Sequence, residues 1–152
     1  MIHVALWEPQ IAPNTGNIAR LCAATASKLH LIGRLGFHLD DRHLRRAGLD
    51  YWSAVDLARH ATFADFVNVM GGARIIALTT RAERPYTSLR YAGGDCLLFG
   101  NESHGLPGEV LQNPRILTAR IPMPGQEVRS LNLATAAGIA LYEALRQIEH
   151  WQ

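Results

Sequence analysis

The sequence predicts one α/β domain with a mainly parallel sheet and helices on both faces. Short apolar runs alternate along the chain with longer amphipathic stretches, and strands that alternate with helices usually pair in parallel. Residues 74–79 and 95–99 form apolar runs, which are typical of central strands covered on both sides. The 152 residues contain no internal repeat or Pro/Ser-rich linker, so we expect a single domain over residues 1–152.

The other elements follow from the same periodicity. Further strands are predicted at residues 2–7, 29–32 and 116–121. Helices are predicted at residues 16–27, 62–70 and 132–149, and a short one at 42–47. Asn14 or Thr15 is expected to cap the first helix, and Ser130 is expected to cap the last one.

Composition excludes several classes of protein. No apolar run approaches the ~18 residues of a membrane helix, and the first seven residues lack the basic segment of a secretory signal. Cys22 and Cys96 lie far apart, which excludes a disulfide framework and a zinc ribbon. The seven histidines never fall at paired ligand spacing. We therefore expect a cytoplasmic protein that uses neither a membrane nor a metal.

The positive charge is almost entirely arginine, because Lys28 is the only lysine. The excess lies in two clusters: Arg42, Arg45 and Arg46, and then Arg74, Arg81, Arg84 and Arg90. Two interpretations stay open. Either the encoding genome favours arginine codons, or these guanidinium groups contact phosphates, whose geometry they match.

The loops after the predicted strands exclude common chemistries. No G-x-G-x-x-G follows the first strand, and Leu106-Pro107 stands where a P-loop needs Lys followed by Ser or Thr. No G-x-S-x-G elbow and no H-E-x-x-H motif occurs. Dinucleotide binding, nucleotide hydrolysis and serine or zinc hydrolysis are therefore disfavoured.

Three polar segments remain at the ends of predicted strands. In residues 8–20, a group of polar side chains surrounds a helix start, where free backbone N–H groups can bind an anion; they are Glu8, Asn14, Asn17 and Arg20. In residues 97–107, Gly100 allows a flat ligand to approach the backbone, and Glu102 is placed to bond a ligand or a basic partner.

The third segment spans residues 121–132. Ser130 is an adequate cap, but its hydroxyl and Asn132 are equally able to contact a ligand. Ile121 and Met123 are candidates for the wall of an adenine site, although such residues more often pack in a core.

Together these segments resemble the motifs of the SPOUT superfamily of knotted methyltransferases, in its SpoU or TrmH-like branch. The matching strings are N-T-G-N-I-A-R at 14–20, F-G-N-E-S-H-G-L-P at 99–107, I-P-M at 121–123 and S-L-N-L at 130–133. With R-R-A-G-L-D-Y at 45–51 and no accessory domain, the whole chain resembles the single-domain members that methylate the tRNA wobble nucleotide.

The resemblance implies a deep trefoil knot near the C-terminus, S-adenosyl-L-methionine as methyl donor and a homodimer formed through the last helix. It implies that Leu78, Gly100, Ile121 and Ser130 contact the donor, with Met123 and Leu131 as neighbours. The implied partner is the anticodon stem-loop of leucine tRNAs. The implied target is the ribose 2′-hydroxyl of a wobble cytidine or 5-carboxymethylaminomethyluridine.

The resemblance also implies a catalytic set of Arg20, Glu102, Asn14, Ser130 and Asn132. Arg20 would act as a base or, as the lasting positive charge of arginine favours, as an electrostatic stabiliser of the forming alkoxide. His104 stands where relatives commonly carry arginine, which leaves the range of substrates open. The alternatives are a 2′-O-methyltransferase for another tRNA or rRNA position, and a non-catalytic RNA-binding protein.

Overall fold

A parallel sheet forms the centre of the structure, a computed structural model that describes residues 1–40 and 52–152. Its strands are β1 (His3–Trp7), β2 (Lys28–Ile32), β3 (Asp56–His60), β4 (Ile75–Leu78), β5 (Cys96–Phe99) and β6 (Ile116–Ala119). They lie in the order β3-β2-β1-β5-β4-β6, and every neighbouring pair is parallel. The predicted α/β class is confirmed.

Helices cover both faces of the sheet, as predicted. They are α1 (Ala12–Ala24), α2 (Phe63–Met70), α3 (Gly108–Leu111) and α4 (Leu133–Ile148), with 3₁₀ turns at Trp52–Ala54 and Tyr86–Ser88. Helices α1 and α4 pack on one face, where Ile18 and Leu141 are fully buried. Helices α2 and α3 pack on the other, where Phe66 is fully buried.

Helix α1 begins earlier than the sequence predicts. It starts at Ala12 rather than at residue 16, its N-cap is Ile11, and no side chain caps it. Asn14 and Thr15 therefore lie inside the first turn, and the expectation that either caps the helix is wrong. Pro13 explains the early start, because its fixed φ suits a first turn and it has no N–H to leave unpaired.

Helix α4 is capped by Asn132, not by Ser130 as predicted. The Asn132 side chain accepts a hydrogen bond from the Thr135 backbone N–H at 3.1 Å. The helix starts at Leu133, so Ser130 lies too far upstream to cap it. Its side chain is left at the surface of the loop.

Strand β3 was not predicted from the sequence. It is an edge strand in which only His60 is buried, so it lacks the apolar signature of the central strands. The predicted short helix at 42–47 lies outside the described residues, as do Arg42, Arg45 and Arg46.

A row of three histidines crosses the α2 face of the sheet. His3 Nδ1 lies 2.9 Å from His30 Nε2, and His30 Nδ1 lies 2.9 Å from His60 Nε2. The edge of Phe66 covers both His30 and His60. Burial lowers the pKa of His30 to about 3, so this imidazole stays neutral and the row is held by its own hydrogen bonds.

Candidate active site

One cavity of about 610 Å³ opens where the carboxyl ends of β4 and β5 meet the start of α4. The loop after β6 closes its third side through Ile121, Met123 and residues 129–132. Ligands of parallel sheets bind at this edge, where the loops converge. The fold therefore brings all three polar segments singled out from the sequence to one place.

A chain of hydrogen bonds ties three loops together along the cavity wall. Glu102 Oε1 accepts from the Gln10 backbone N–H at 3.0 Å, and Oε2 accepts from the Ile11 N–H at 2.7 Å and from Asn14 Nδ2 at 3.4 Å. Asn14 Oδ1 in turn accepts from Asn132 Nδ2 at 3.1 Å. Glu102 thus fixes the β1–α1 loop, and Asn14 links that loop to the start of α4.

These contacts revise the expected role of the α1 start. Free backbone N–H groups around this start were expected to be available to an anion, but those of Gln10 and Ile11 already bind the protein's own Glu102 carboxylate. Glu8 points elsewhere, because its Oε2 accepts from the Arg34 N–H at 3.2 Å in the loop after β2. Of the four polar residues expected to cluster there, Asn14 lines the cavity.

A tight turn at residues 100–105 presents the second segment. Asn101 and Gly105 exchange backbone hydrogen bonds, and Asn101 Oδ1 accepts from the N–H groups of Ser103 and His104 at 3.1 and 2.7 Å. A Cβ at Gly100 would overlap the backbone of Gly105 and Leu106. Gly100 is therefore required to close the turn, a reason that differs from the expected approach of a ligand.

The cavity gathers nearly the whole set of site residues named from the sequence. Those on its wall are Asn14, Leu78, Gly100, Glu102, Ile121, Met123, Ser130, Leu131 and Asn132. They come from the segments after β1, β5 and β6 and from the end of β4. Their convergence at one edge of the sheet agrees with the sequence, which places the three polar segments at the ends of predicted strands.

Arg20 is the exception, because it does not line this cavity. It lies on α1 six residues after Asn14, which is about 9 Å along the helix axis and well over one turn further round. Its side chain is exposed. Arg20 therefore lies apart from the cavity that the other candidate catalytic residues line.

Two arginines on the cavity wall were not predicted as site residues. Arg81 follows β4, and Arg129 directly precedes Ser130. Arg81 was recognised only as a member of a basic cluster, and Arg129 was not singled out. Arg81 lies three residues after the end of β4, and Arg129 lies directly before Ser130. These positions are the signals that would have identified them.

Other reactive groups lie away from this cavity. Cys22 and Cys96 are buried and free of disulfides, and burial raises the pKa of Cys22 to about 12. Within residues 1–40 and 52–152, no group of histidine, cysteine, aspartate and glutamate side chains has the geometry to hold a metal ion. No helix in the same described ranges is long and apolar enough to cross a bilayer.

The chain matches the profile of the SpoU rRNA Methylase family over residues 1–142. It is 44% identical to the tRNA (cytidine(34)-2′-O)-methyltransferase of Aeromonas hydrophila over 149 residues, covering 97% of this chain and 95% of the relative. The enzyme of the same name from Escherichia coli strain K12 is also 44% identical over 149 residues, with 97% and 94% covered.

Solved structures are similar over the same length. One, described as giving structural insights into the 2-OH methylation of C/U34 on tRNA, has a TM-score of 0.93 and 52% identity, with 97% of this chain and 95% of that chain covered. An AdoMet-bound rRNA methyltransferase from Sinorhizobium meliloti has a TM-score of 0.87 and 30% identity, covering 99% of this chain and 57% of its own.

Proposed function

We propose, since the chain belongs to the SpoU rRNA Methylase family, that it methylates the ribose 2′-hydroxyl of the wobble nucleotide in tRNA. The observation that carries the proposal is the cavity in which Asn14, Glu102, Ser130 and Asn132 converge. Relatives that match almost the whole chain are named for methylation at nucleotide 34, and they supply the position on the RNA.

The cavity suits S-adenosyl-L-methionine as the methyl donor. Its volume of about 610 Å³ lies within the ~300–1,000 Å³ range of small-molecule sites. The side chains of Leu78, Ile121, Met123 and Leu131 give it an apolar wall, which fits the flat adenine ring. Ser130 and the backbone at Gly100 offer polar contacts beside that wall. When bound, the donor supplies an electrophilic methyl group on a sulfonium sulfur.

The residues of this chain would act by positioning and by electrostatics. Glu102, Asn14 and Asn132 hold three loops in register through the hydrogen bonds described above. Close, in-line placement of the two reactants contributes on the order of 7–11 kcal/mol to such a reaction. Arginine retains its proton at physiological pH, so Arg20 would stabilise the forming alkoxide and bind phosphate, while the proton of the 2′-hydroxyl would leave to water.

We further propose a homodimer in which Arg20 serves the cavity of a second copy. Arg20 does not line the cavity of its own chain. Tyr142 on α4 and Trp151 are 47% and 46% exposed, and their rings pack 5.9 Å apart. Exposed apolar side chains of this kind mark interaction surfaces, which supports the last helix as part of the subunit contact.

The remaining features of the proposal follow the family resemblance. They are a single domain over residues 1–152, a trefoil knot in the C-terminal part, leucine tRNAs as substrates and a cytoplasmic location, where tRNA is found. The strand order supports the knot, because β5 lies between β1 and β4 while β6 lies beyond β4. A wobble cytidine or 5-carboxymethylaminomethyluridine would be the target nucleotide.

The test is transfer of a labelled methyl group to tRNA from a strain that lacks this gene. Nuclease digestion and mass spectrometry would then locate the label. We expect a 2′-O-methyl group on the wobble nucleotide of leucine tRNA. Label on another ribose would keep the reaction and overturn the target, whereas bound tRNA and donor without transfer would favour a non-catalytic RNA-binding protein.

A further inference from the structure

We propose that Arg81 and Arg129 form an oxyanion-binding subsite in the wall of the cavity. The oxyanion is either a phosphate group of the RNA or the carboxylate of the methyl donor. A guanidinium group binds both through pairs of parallel hydrogen bonds. This proposal rests on the proposed function, because it assigns one part of the same cavity to an anionic group of the RNA or of the methyl donor. Neither arginine belongs to the set that the family resemblance implies for catalysis or donor binding.

The charge balance of the cavity is the first observation. Glu102 is its one carboxylate among the described residues, against Arg81 and Arg129. Both oxygens of Glu102 already accept hydrogen bonds from Gln10, Ile11 and Asn14. The carboxylate is therefore occupied by the protein's own donors, and the two guanidinium groups give the cavity an excess of positive charge.

The second observation is that two independent loops supply these arginines. Arg81 lies in the loop after β4, where its backbone N–H donates to Thr79 Oγ1 at 3.2 Å. Arg129 lies in the loop after β6, three residues before Asn132, which caps α4. Two like charges that face one cavity repel each other, so a negatively charged ligand would relieve this repulsion.

The third observation is how the structure uses other arginines. Arg74 pairs with Asp95 at 2.6 Å, and Arg146 pairs with Glu143 at 2.8 Å. Arg115 donates to the Ala73 carbonyl at 3.0 Å. In the described parts of the chain, Arg81 and Arg129 have no carboxylate within ion-pair distance. They are therefore available to an external anion in a way that Arg74 and Arg146 are not.

The RNA arm of the test compares Arg81→Gln and Arg129→Gln with Arg115→Gln. The control, Arg115→Gln, also removes one positive charge. Arg115 lies at the amino end of β6, at the end of the sheet opposite the cavity. If the oxyanion is a phosphate, each cavity variant binds the tRNA about tenfold more weakly at low salt. Its plot of log affinity against log salt concentration also becomes shallower by about 0.7–0.9. The control changes neither quantity.

The donor arm measures binding of S-adenosylhomocysteine and of 5′-methylthioadenosine, which lacks the carboxylate. If the oxyanion belongs to the donor, the cavity variants bind the first about tenfold more weakly and the second as the wild type does. A positive result in either arm supports the subsite, and wild-type behaviour in both arms overturns it. Methyl transfer by the wild-type protein is scored separately, because its failure would count against the proposed function and not against anion binding.

Discussion

Two regions of the molecule each carry a row of hydrogen-bonded polar side chains, one on a face of the sheet and one at its carboxyl edge. In the β1–β3 half of the sheet, His3, His30 and His60 bond to one another beneath Phe66. At the carboxyl ends of β1, β5 and β6, Glu102, Asn14 and Asn132 link three loops along the wall of an open cavity. The histidines use their hydrogen-bonding groups on one another, whereas the second row positions side chains that line the cavity. A buried polar cluster and a polar cluster that lines a cavity therefore call for different tests.

The largest expected effect comes from Arg20→Ala. Loss of a cation that stabilises the forming alkoxide should lower turnover by about 10²–10³-fold. Because Arg20 is exposed, the free energy of unfolding should change by less than about 0.5 kcal/mol. Single-turnover methyl transfer, thermal unfolding and donor titration measure these quantities. Wild-type turnover would exclude both roles considered for Arg20.

Mixed dimers test whether Arg20 serves the second copy. Arg20→Ala and Glu102→Gln proteins are mixed after reversible dissociation. If Arg20 acts across the interface, each mixed dimer contains one intact site, and random mixing restores about a quarter of wild-type activity. No recovery, with mixed dimers detected by mass spectrometry, would place Arg20 in the cavity of its own chain.

Glu102→Gln should have the next largest effect. The amide places an N–H₂ group where the carboxylate accepts from Gln10 or Ile11, so the β1–α1 loop loses a hydrogen bond and gains a repulsive contact. We expect unfolding to become easier by about 1–3 kcal/mol and turnover to fall by about 10²-fold. Denaturant unfolding and methyl transfer measure the two changes. Glu109→Gln, an exposed change on α3, is the matched control and should alter neither.

His30→Leu should change how the free energy of unfolding depends on pH, and it should leave turnover unchanged. The pKa of His30 is lowered to about 3, first by burial and then by His3, His60 and Lys28, and burial also lowers the pKa values of His3 and His60. Asp56 opposes part of the shift in the pKa of His3, and Asp65 opposes part of the shift in the pKa of His60. Below pH ~6.5 the unfolded chain binds protons that the folded one does not, so stability falls as pH falls.

The slope contributed by His30 between pH 6 and 4 approaches about 1.4 kcal/mol per pH unit. The leucine variant should lose this part of the slope when unfolding is measured at several pH values, even if its absolute stability changes. His38→Leu removes an exposed imidazole and serves as the control. An unchanged slope in His30→Leu would contradict a buried neutral row.

The smallest expected effect is that of Thr15→Val. The Thr15 hydroxyl is buried in α1 and has no hydrogen-bond partner within the described residues. Replacing it with a methyl group of the same shape removes the cost of that unpaired group. We expect a gain of about 1 kcal/mol, or about 2–4 °C in Tm, without a change in turnover. A loss of stability would show that the hydroxyl has a partner.

The sequence predicts those parts of the fold whose pattern is local. The central strands β4 and β5 and the long helix α4 carry clear apolar signals, and all three were placed within two residues. Strand β3 was missed because its residues, D-L-A-R-H, form a half-exposed edge without such a signal. The start of α1 was misplaced because Pro13 was not weighed as a first-turn residue.

In the candidate site, too, the features with a local pattern were predicted and the long-range contacts were not. The candidate site residues on the cavity wall, apart from Arg81 and Arg129, were identified from motifs, but the hydrogen bonds that hold them were not. Glu102 binds the backbone of Gln10 and Ile11 across more than 90 positions of the chain, and no local pattern reports a backbone partner at that distance. Arg81 and Arg129 enter the site through the convergence of two loops, which also requires the fold.

The most direct measurement is a structure of the protein with S-adenosylhomocysteine and an anticodon stem-loop. We expect the nucleoside to lie between Leu78, Ile121 and Met123. We also expect the ribose 2′-oxygen of the wobble nucleotide to face the sulfur atom. Arg20 of a second copy should lie beside that oxygen. Binding of the nucleoside outside this cavity, or a different ribose at the sulfur, would contradict these expectations.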